Sequence, residues 1–263
     1  MYSRSAELPQ DFIDAPLAHR GLHDRGAGII ENSLSAIEAA VAEGYGIEID
    51  IQAASCGEAM VFHDGTLDRL TAETGPVNGR TADELREIVL TDSTDAIPTL
   101  KETLEIVRGK VPLLLEIKEP GHSLSPDVGA LEERVADLLR LYAGPVAVMS
   151  FNPHSVTAFG RFGLAVARGL VTCDFQDAEW DLPEQRRQTL ANIEGFDRSG
   201  SVFISHDARN LNTAAVERIR RKGFPVLCWT VRSQEQEDAV REIADNITFE
   251  GYRPRIPEPT PLF

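Results

Sequence analysis

Cysteine is scarce in this 263-residue chain, which holds only Cys56, Cys173 and Cys228. They are odd in number, scattered and without CxxC spacing, so neither a disulfide framework nor a cysteine-based zinc site organises the fold. Long apolar runs are also missing, and none approaches the roughly 18 residues of a membrane span. The opening stretch, Met1 to Asp14, lacks the basic-then-apolar order of a secretory signal. Positive charge is short: 26 Lys and Arg face 42 Asp and Glu, a net charge of −16. That balance argues against a nucleic-acid partner, because binding phosphates requires a basic face that displaces counterions. There is no low-complexity segment and no short-period repeat. These absences predict a cytoplasmic protein without a membrane span.

What remains is an ordinary globular composition, 42% hydrophobic and 26% charged, over a length that suits one barrel-sized domain. Short apolar runs alternate with helical patterns. The predicted strands are Leu17–Arg20, Ile47–Gln52, Ala59–His63, Val111–Ile117, Val146–Ser150, Ala165–Leu170, Ser201–Ser205, Val226–Thr230 and Asn246–Phe249. They are too uniformly apolar for one wet face, which points to strands buried on both sides of a parallel sheet. Predicted helices run from a cap at Asn32 or Ser33 to about Glu43, and over Thr99–Val107, Leu131–Leu141, Thr213–Lys222 and Gln234–Ala244.

One connection differs. Only a handful of residues, including Ser55-Cys56-Gly57-Glu58, separate the second and third runs. A parallel crossover needs about a dozen, so these two runs form an antiparallel hairpin. Eight parallel strands then remain, and the pattern predicts an α/β fold, a (β/α)8 TIM barrel with a β-hairpin and a small insertion (about 65–97) after the second strand. The whole chain, 1–263, reads as one such domain. A doubly wound open sheet is the alternative, but Gly26-Ala27-Gly28 lies too far from the first strand end for a nucleotide-binding turn.

The polar residues of interest sit at the C-terminal ends of predicted strands, the edge where barrels carry active sites. Glu48 and Asp50 are two apart, so both carboxylates face inward while Ile47, Ile49 and Ile51 face outward. Glu116 and Lys118 repeat this geometry on the next parallel strand. Three carboxylates meeting at one dry mouth repel each other, and a hard divalent cation, Mg²⁺ or Ca²⁺, resolves the conflict. Ion pairs with Arg20 and Lys118 are the plainer alternative. His19 and His63 end the first strand and the hairpin and are candidate proton carriers. Arg20 and Lys118 supply positive charge suited to phosphate oxygens. His23, His122, His154 and His206 have weaker claims, although His206 follows a predicted strand end and could line the mouth. There is no GxSxG elbow and no P-loop. A glycosidase would use paired acids without two histidines, an arginine and a lysine around them. Cations plus a divalent ion suit a phosphoryl group.

The ordered series His19-Arg20-Gly21, Glu31-Asn32-Ser33, Glu48-Ile49-Asp50, His63-Asp64, Glu116-Ile117-Lys118, Ser150-Phe151 and Trp229-Thr230-Val231 resembles the signature of the glycerophosphodiester phosphodiesterases. The resemblance implies a TIM barrel with a small insertion and one divalent cation, Mg²⁺ or Ca²⁺, held by Glu48, Asp50 and Glu116. It implies an acid–base pair in His19 and His63, with Arg20 and Lys118 at the phosphate and Trp229 on the glycerol or leaving group. The implied reaction is hydrolysis of a small glycerophosphodiester to sn-glycerol 3-phosphate and an alcohol. A lysophospholipase D-like enzyme or another phosphodiesterase of the same barrel is the nearer alternative, and a non-catalytic binding module the more distant one. Cys56-Gly57, Arg232 and Glu250 depart from the residues usual at those places; the last two lie near the expected mouth and bear on substrate choice.

Overall fold

The computed structural model describes residues 6–119, 123–163, 165–177 and 180–257. Nine strands are present among them: β1 (Leu17–His19), β2 (Gly46–Ala53), β3 (Ala59–Val61), β4 (Leu113–Ile117), β5 (Val146–Ser150), β6 (Ala167–Thr172), β7 (Phe203–Asp207), β8 (Val226–Val231) and β9 (Asn246–Phe249). All but β3 pair in parallel, and β1 pairs with both β2 and β9, so eight strands close into a barrel. The expected hairpin is present. β1 occupies one edge of β2 at Gly46–Glu48, and β3 takes over at Ile51–Ala53, running antiparallel. A short β1 thus leaves room for the hairpin to rise over the mouth.

Among the described residues ten α-helices connect or flank the strands: α1 (Asp11–Asp14), α2 (Leu34–Glu43), α3 (Ala82–Arg86), α4 (Leu100–Val107), α5 (Ala130–Leu139), α6 (Pro153–Phe159), α7 (Glu184–Ala191), α8 (Phe196–Ser199), α9 (Ala214–Arg221) and α10 (Gln234–Val240). Their starts follow from capping chemistry. Ser33 caps α2 by accepting from the Ala36 N–H, and Thr99 with Glu102 closes a capping box on α4; such side chains satisfy otherwise orphaned N–H groups. α7 buries only Leu190, so it carries no readable apolar period in the sequence.

Strand parity divides the core in two. Ile47, Ile49, Ile51, Leu113, Leu115, Val148 and Ile204 pack outward against the helices. Leu17, Leu114, Ala147, Met149, Val171, Phe203 and Leu227 point inward, and Phe12 of α1 joins them. Inside the barrel Gly169 lies against the Phe203 ring, where a Cβ would come within 2.6 Å; no larger residue fits without moving that ring. Between β3 and α4, a third cluster (Met60, Phe62, Leu67, Leu70, Val77, Leu85, Leu90) gives the insertion its own small core.

Two predicted strands sit two residues too early. Ala165–Leu170 becomes β6 at Ala167–Thr172, and Ser201–Ser205 becomes β7 at Phe203–Asp207. The apolar pattern begins before the ladder because residues such as Val202 pack against the barrel interior as they enter it. It ends before the ladder because the last rungs are polar.

Candidate active site

Parity carries Glu48 and Asp50 of β2 to the inside, and the register Asp50↔Glu116 sets Glu116 of β4 directly beside them. One oxygen from each carboxylate lies within 4.8 Å of the others. All three are buried. Lys118 Nζ bridges Asp50 Oδ1 at 2.9 Å and Glu116 Oε1 at 2.7 Å. Arg20 Nε stands 3.3 Å from Asp50 Oδ2. Asn32 fastens Asp50 twice: its Nδ2 donates to Oδ2 at 2.8 Å, and its Oδ1 accepts the Asp50 N–H at 3.2 Å. Of the two residues considered for capping α2, Ser33 is therefore the cap and Asn32 a support of the acid cluster.

Glu48 is different. Its Oε2 accepts the Arg20 backbone N–H at 3.2 Å and lies 4.0 Å from His19 Nε2, and among the described residues no lysine or arginine side chain pairs with it. Burial, and then the charges of Asp50 and Glu116, push its carboxyl well above the usual range. Burial acts on Asp50 in the same sense, but Lys118, His63 and Arg20 outweigh it and hold that carboxyl well below. Lys118 is raised by Asp50 and Glu116 despite its burial. Three acids thus face two bases, one of them shared with Glu31. An uncompensated carboxylate in an all-oxygen donor set fits a hard divalent cation.

Arg20 and Gly21 form a tight turn at the end of β1. Arg20 has a left-handed backbone (φ 56°), which costs a non-glycine residue about 1 kcal/mol. The turn presses on α2: a Cβ on Gly21 (φ +79°) would lie 2.8 Å from the Ala36 Cβ. The Asn32 N–H donates to the Arg20 carbonyl at 2.8 Å.

Each predicted imidazole stands on a carboxylate, and each carboxylate meets an arginine. His19 Nδ1 lies 2.7 Å from Glu250 Oε2, whose Oε1 accepts from Arg232 Nε at 2.7 Å. His63 Nδ1 lies 2.7 Å from Asp64 Oδ1, whose Oδ2 accepts from Arg69 Nε at 2.6 Å. Burial lowers His19 to about 4 against the opposing Glu250 hydrogen bond. The bond to His19, ahead of Arg232, takes Glu250 down to about 2 despite burial. An ionised carboxylate on Nδ1 selects the tautomer with the proton there and leaves Nε2 free to exchange one. The His63 side chain is more open than that of His19, 31% exposed against 12%.

A cavity of about 210 Å³ opens over this cluster and is lined by all eight predicted site residues: His19, Arg20, Glu48, Asp50, His63, Glu116, Lys118 and Trp229. Its far wall is apolar, formed by Leu124, Phe151, Trp180 and Trp229, with Phe151 edge-on to Trp229 at 5.6 Å. Trp229 is braced by its Nε1–H donating to the Ser205 carbonyl. The other histidines fall elsewhere. His206 lies within β7 rather than after it, one residue from inward-facing Ser205 and Asp207, so it faces the helices and its Nδ1 meets Thr172 Oγ1. His23 and His154 are outside the cavity lining, and His122 lies outside the described residues. Arg69 escaped the sequence reading because nothing in its spacing sets it apart from other charges of the insertion.

The family profile described as "Glycerophosphoryl diester phosphodiesterase family" matches residues 19–246. The chain is 27% identical over 242 residues to the glycerophosphodiester phosphodiesterase of Caldanaerobacter subterraneus subsp. tengcongensis, covering 88% of this chain and 91% of that protein. Among solved structures, it is similar to an Oleispira antarctica phosphodiesterase in complex with the product sn-glycerol-3-phosphate, with TM-score 0.72, 21% identity and coverage of 90% and 92%. It is also similar to the Thermotoga maritima glycerophosphodiester phosphodiesterase, with TM-score 0.67, 23% identity and coverage of 89% and 94%.

Proposed function

The chain belongs to the glycerophosphoryl diester phosphodiesterase family, a family of phosphoric diester hydrolases, and from that premise we propose metal-dependent hydrolysis of soluble glycerophosphodiesters to sn-glycerol 3-phosphate and an alcohol. One observation carries the reading: three buried carboxylates within 4.8 Å of one another share a cavity with two carboxylate-oriented imidazoles. A divalent cation, Mg²⁺ or Ca²⁺, held by Glu48, Asp50 and Glu116, would supply charge neutralisation at the phosphoryl oxygens.

The protein's own groups do the rest. Arg20 and Lys118 add fixed positive charge at the phosphate. His19, deeper in the cavity, takes the proton from the attacking oxygen. His63, nearer the opening, donates a proton to the leaving alkoxide as its P–O bond breaks. Water can be the nucleophile directly, or a neighbouring glycerol hydroxyl can attack to give a cyclic phosphate that a water then opens; either route ends in glycerol 3-phosphate and the alcohol. The aromatic wall, Trp229 included, receives the apolar parts of the substrate. The same wall favours a second reading, a lysolipid substrate, but a cavity of about 210 Å³ suits a short headgroup better than an acyl chain. Three unpaired cysteines fit a reducing compartment such as the cytoplasm.

A panel of soluble glycerophosphodiesters and one detergent-dispersed lysolipid, each assayed with Mg²⁺, Ca²⁺ and chelator, tests the reading. Release of glycerol 3-phosphate from the soluble diesters only with metal is expected. Full activity in chelator would overturn the cation site, and lysolipid preference would overturn the substrate class.

A further inference from the structure

His63 sits where the barrel offers little support. β3 ends at Val61, so the imidazole stands beyond the last strand pairing. Gln52 holds its backbone by donating Nε2–H to the His63 carbonyl at 2.9 Å, but among the described residues Asp64 alone hydrogen-bonds the ring and sets its direction. Asp64 is itself held by one residue of the insertion. Arg69 donates to Asp64 through Nε at 2.6 Å and Nη2 at 2.9 Å. Its other edge forks onto Glu31, with Nη1 to Oε2 at 2.9 Å and Nη2 to Oε1 at 2.7 Å. Glu31 in turn accepts from Arg20 Nη1 at 2.6 Å. The result is a continuous chain, His63–Asp64–Arg69–Glu31–Arg20, joining two cavity-lining groups through one guanidinium that does not line the cavity.

We propose that Arg69 is a positioning residue for the reaction: by bridging Asp64 and Glu31 it fixes the His63 imidazole and the Arg20 guanidinium relative to each other. The geometry favours this over a surface ion pair. Exposed single pairs contribute little, whereas a guanidinium with two forked carboxylates has a planar, directional fit that lysine cannot copy. The chain also crosses the fold. Arg20 belongs to the β1 turn, Glu31 to the loop before α2, and Asp64 and Arg69 to the hairpin end and the insertion. Rigid barrel and inserted loop therefore meet at this side chain, which gives the insertion a role at the site.

The inference rests on the reading of His63 as the group that protonates the leaving alcohol, and the test keeps the two apart. Two substrates are compared, glycerophosphoethanolamine and the p-nitrophenyl diester of glycerol phosphate. The ethanolamine oxygen needs a proton to leave and p-nitrophenolate does not. H63A should lose about 100-fold or more in kcat on the first and far less on the second; equal losses would overturn the acid role. R69A is then expected to reproduce whatever substrate pattern H63A shows, at about 10- to 100-fold on the sensitive substrate, with a KM rise on both substrates through Arg20. R69K keeps the charge and removes the fork, so it should fold normally and show the same pattern at smaller amplitude. Losses in R69A and R69K that are equal on both substrates when H63A discriminates, or kcat within twofold of wild type in a folded R69K and R69A, would overturn the proposal.

Discussion

Replacing Glu48 with glutamine should make the metal-free protein more stable while abolishing its response to metal. Like charges 4.8 Å apart repel by about 3 kcal/mol at an effective dielectric near 20, and the three acid oxygens lie within that distance. Glu48 faces two such neighbours, and Lys118 and Arg20 offset part of the total. A net gain of about 1–3 kcal/mol for E48Q in chelator follows, or roughly 3–10 °C in Tm for a chain of this size. The size of the gain depends on pH. The folded-state carboxyl of Glu48 is raised above its ordinary 4.5, so the penalty is absent below that value, grows as pH rises above it and is complete once pH passes the raised one. The E48Q gain should therefore vanish near pH 4 and be larger at neutral pH. Thermal melts by circular dichroism in EDTA, with and without excess Mg²⁺ or Ca²⁺, measure it. Wild type should gain about 3 kcal/mol of stability at a metal concentration of 100 Kd, and E48Q none. A less stable E48Q at pH 7 in EDTA would refute the reasoning, because it would mean that Glu48 is an ordinary satisfied carboxylate.

Other outcomes follow from the same geometry. H19A should lower kcat about 100-fold or more on both alkyl and p-nitrophenyl diesters while folding normally; near-normal turnover would remove His19 from the chemistry. N32A removes both hydrogen bonds to Asp50 and should weaken metal affinity about 10- to 100-fold, read by calorimetric titration; unchanged affinity would show that Asp50 needs no brace. Hydrogen bonding and charge from Arg69 and Arg20 overcome burial and take Glu31 from 4.5 to about 2. Its stabilisation is thus complete above pH 4.5 and lost as pH falls toward 2. Denaturant titrations should find E31Q less stable than wild type at pH 7, with a flatter stability curve between pH 4.5 and 2; parallel curves would refute this.

Much of the barrel was readable because its signal is local. The short spacer between β2 and β3 forces a hairpin, and Thr99 and Ser33 cap helices by chemistry confined to a few residues. The i, i+2 rule alone aims Glu48 and Asp50 at one side. The strands β6 and β7 slipped by two residues because hydrophobicity reports burial, and burial extends beyond the hydrogen-bonded ladder at the lower end while polar residues close it at the upper one. His206 shows the cost of such a slip: placed after a strand it could reach the mouth, but placed within β7 its parity turns it away. Arg69 was invisible because its partners, Glu31 and Asp64, lie in separate loops.

Residue order decided what each segment could be: which runs are strands, which faces they bury and which acids share a side. Those are consequences of backbone periodicity, a property each stretch of chain carries alone. Contacts between segments decided the rest. The pairing of β4 with β2 fixes the register that sets Glu116 beside Asp50, closure of the ring sets Glu250 of the final turn on His19 of the first strand, and packing of the insertion lets its arginine join His63 to Arg20. Such contacts depend on distances between segments far apart in sequence, and no local pattern encodes those distances.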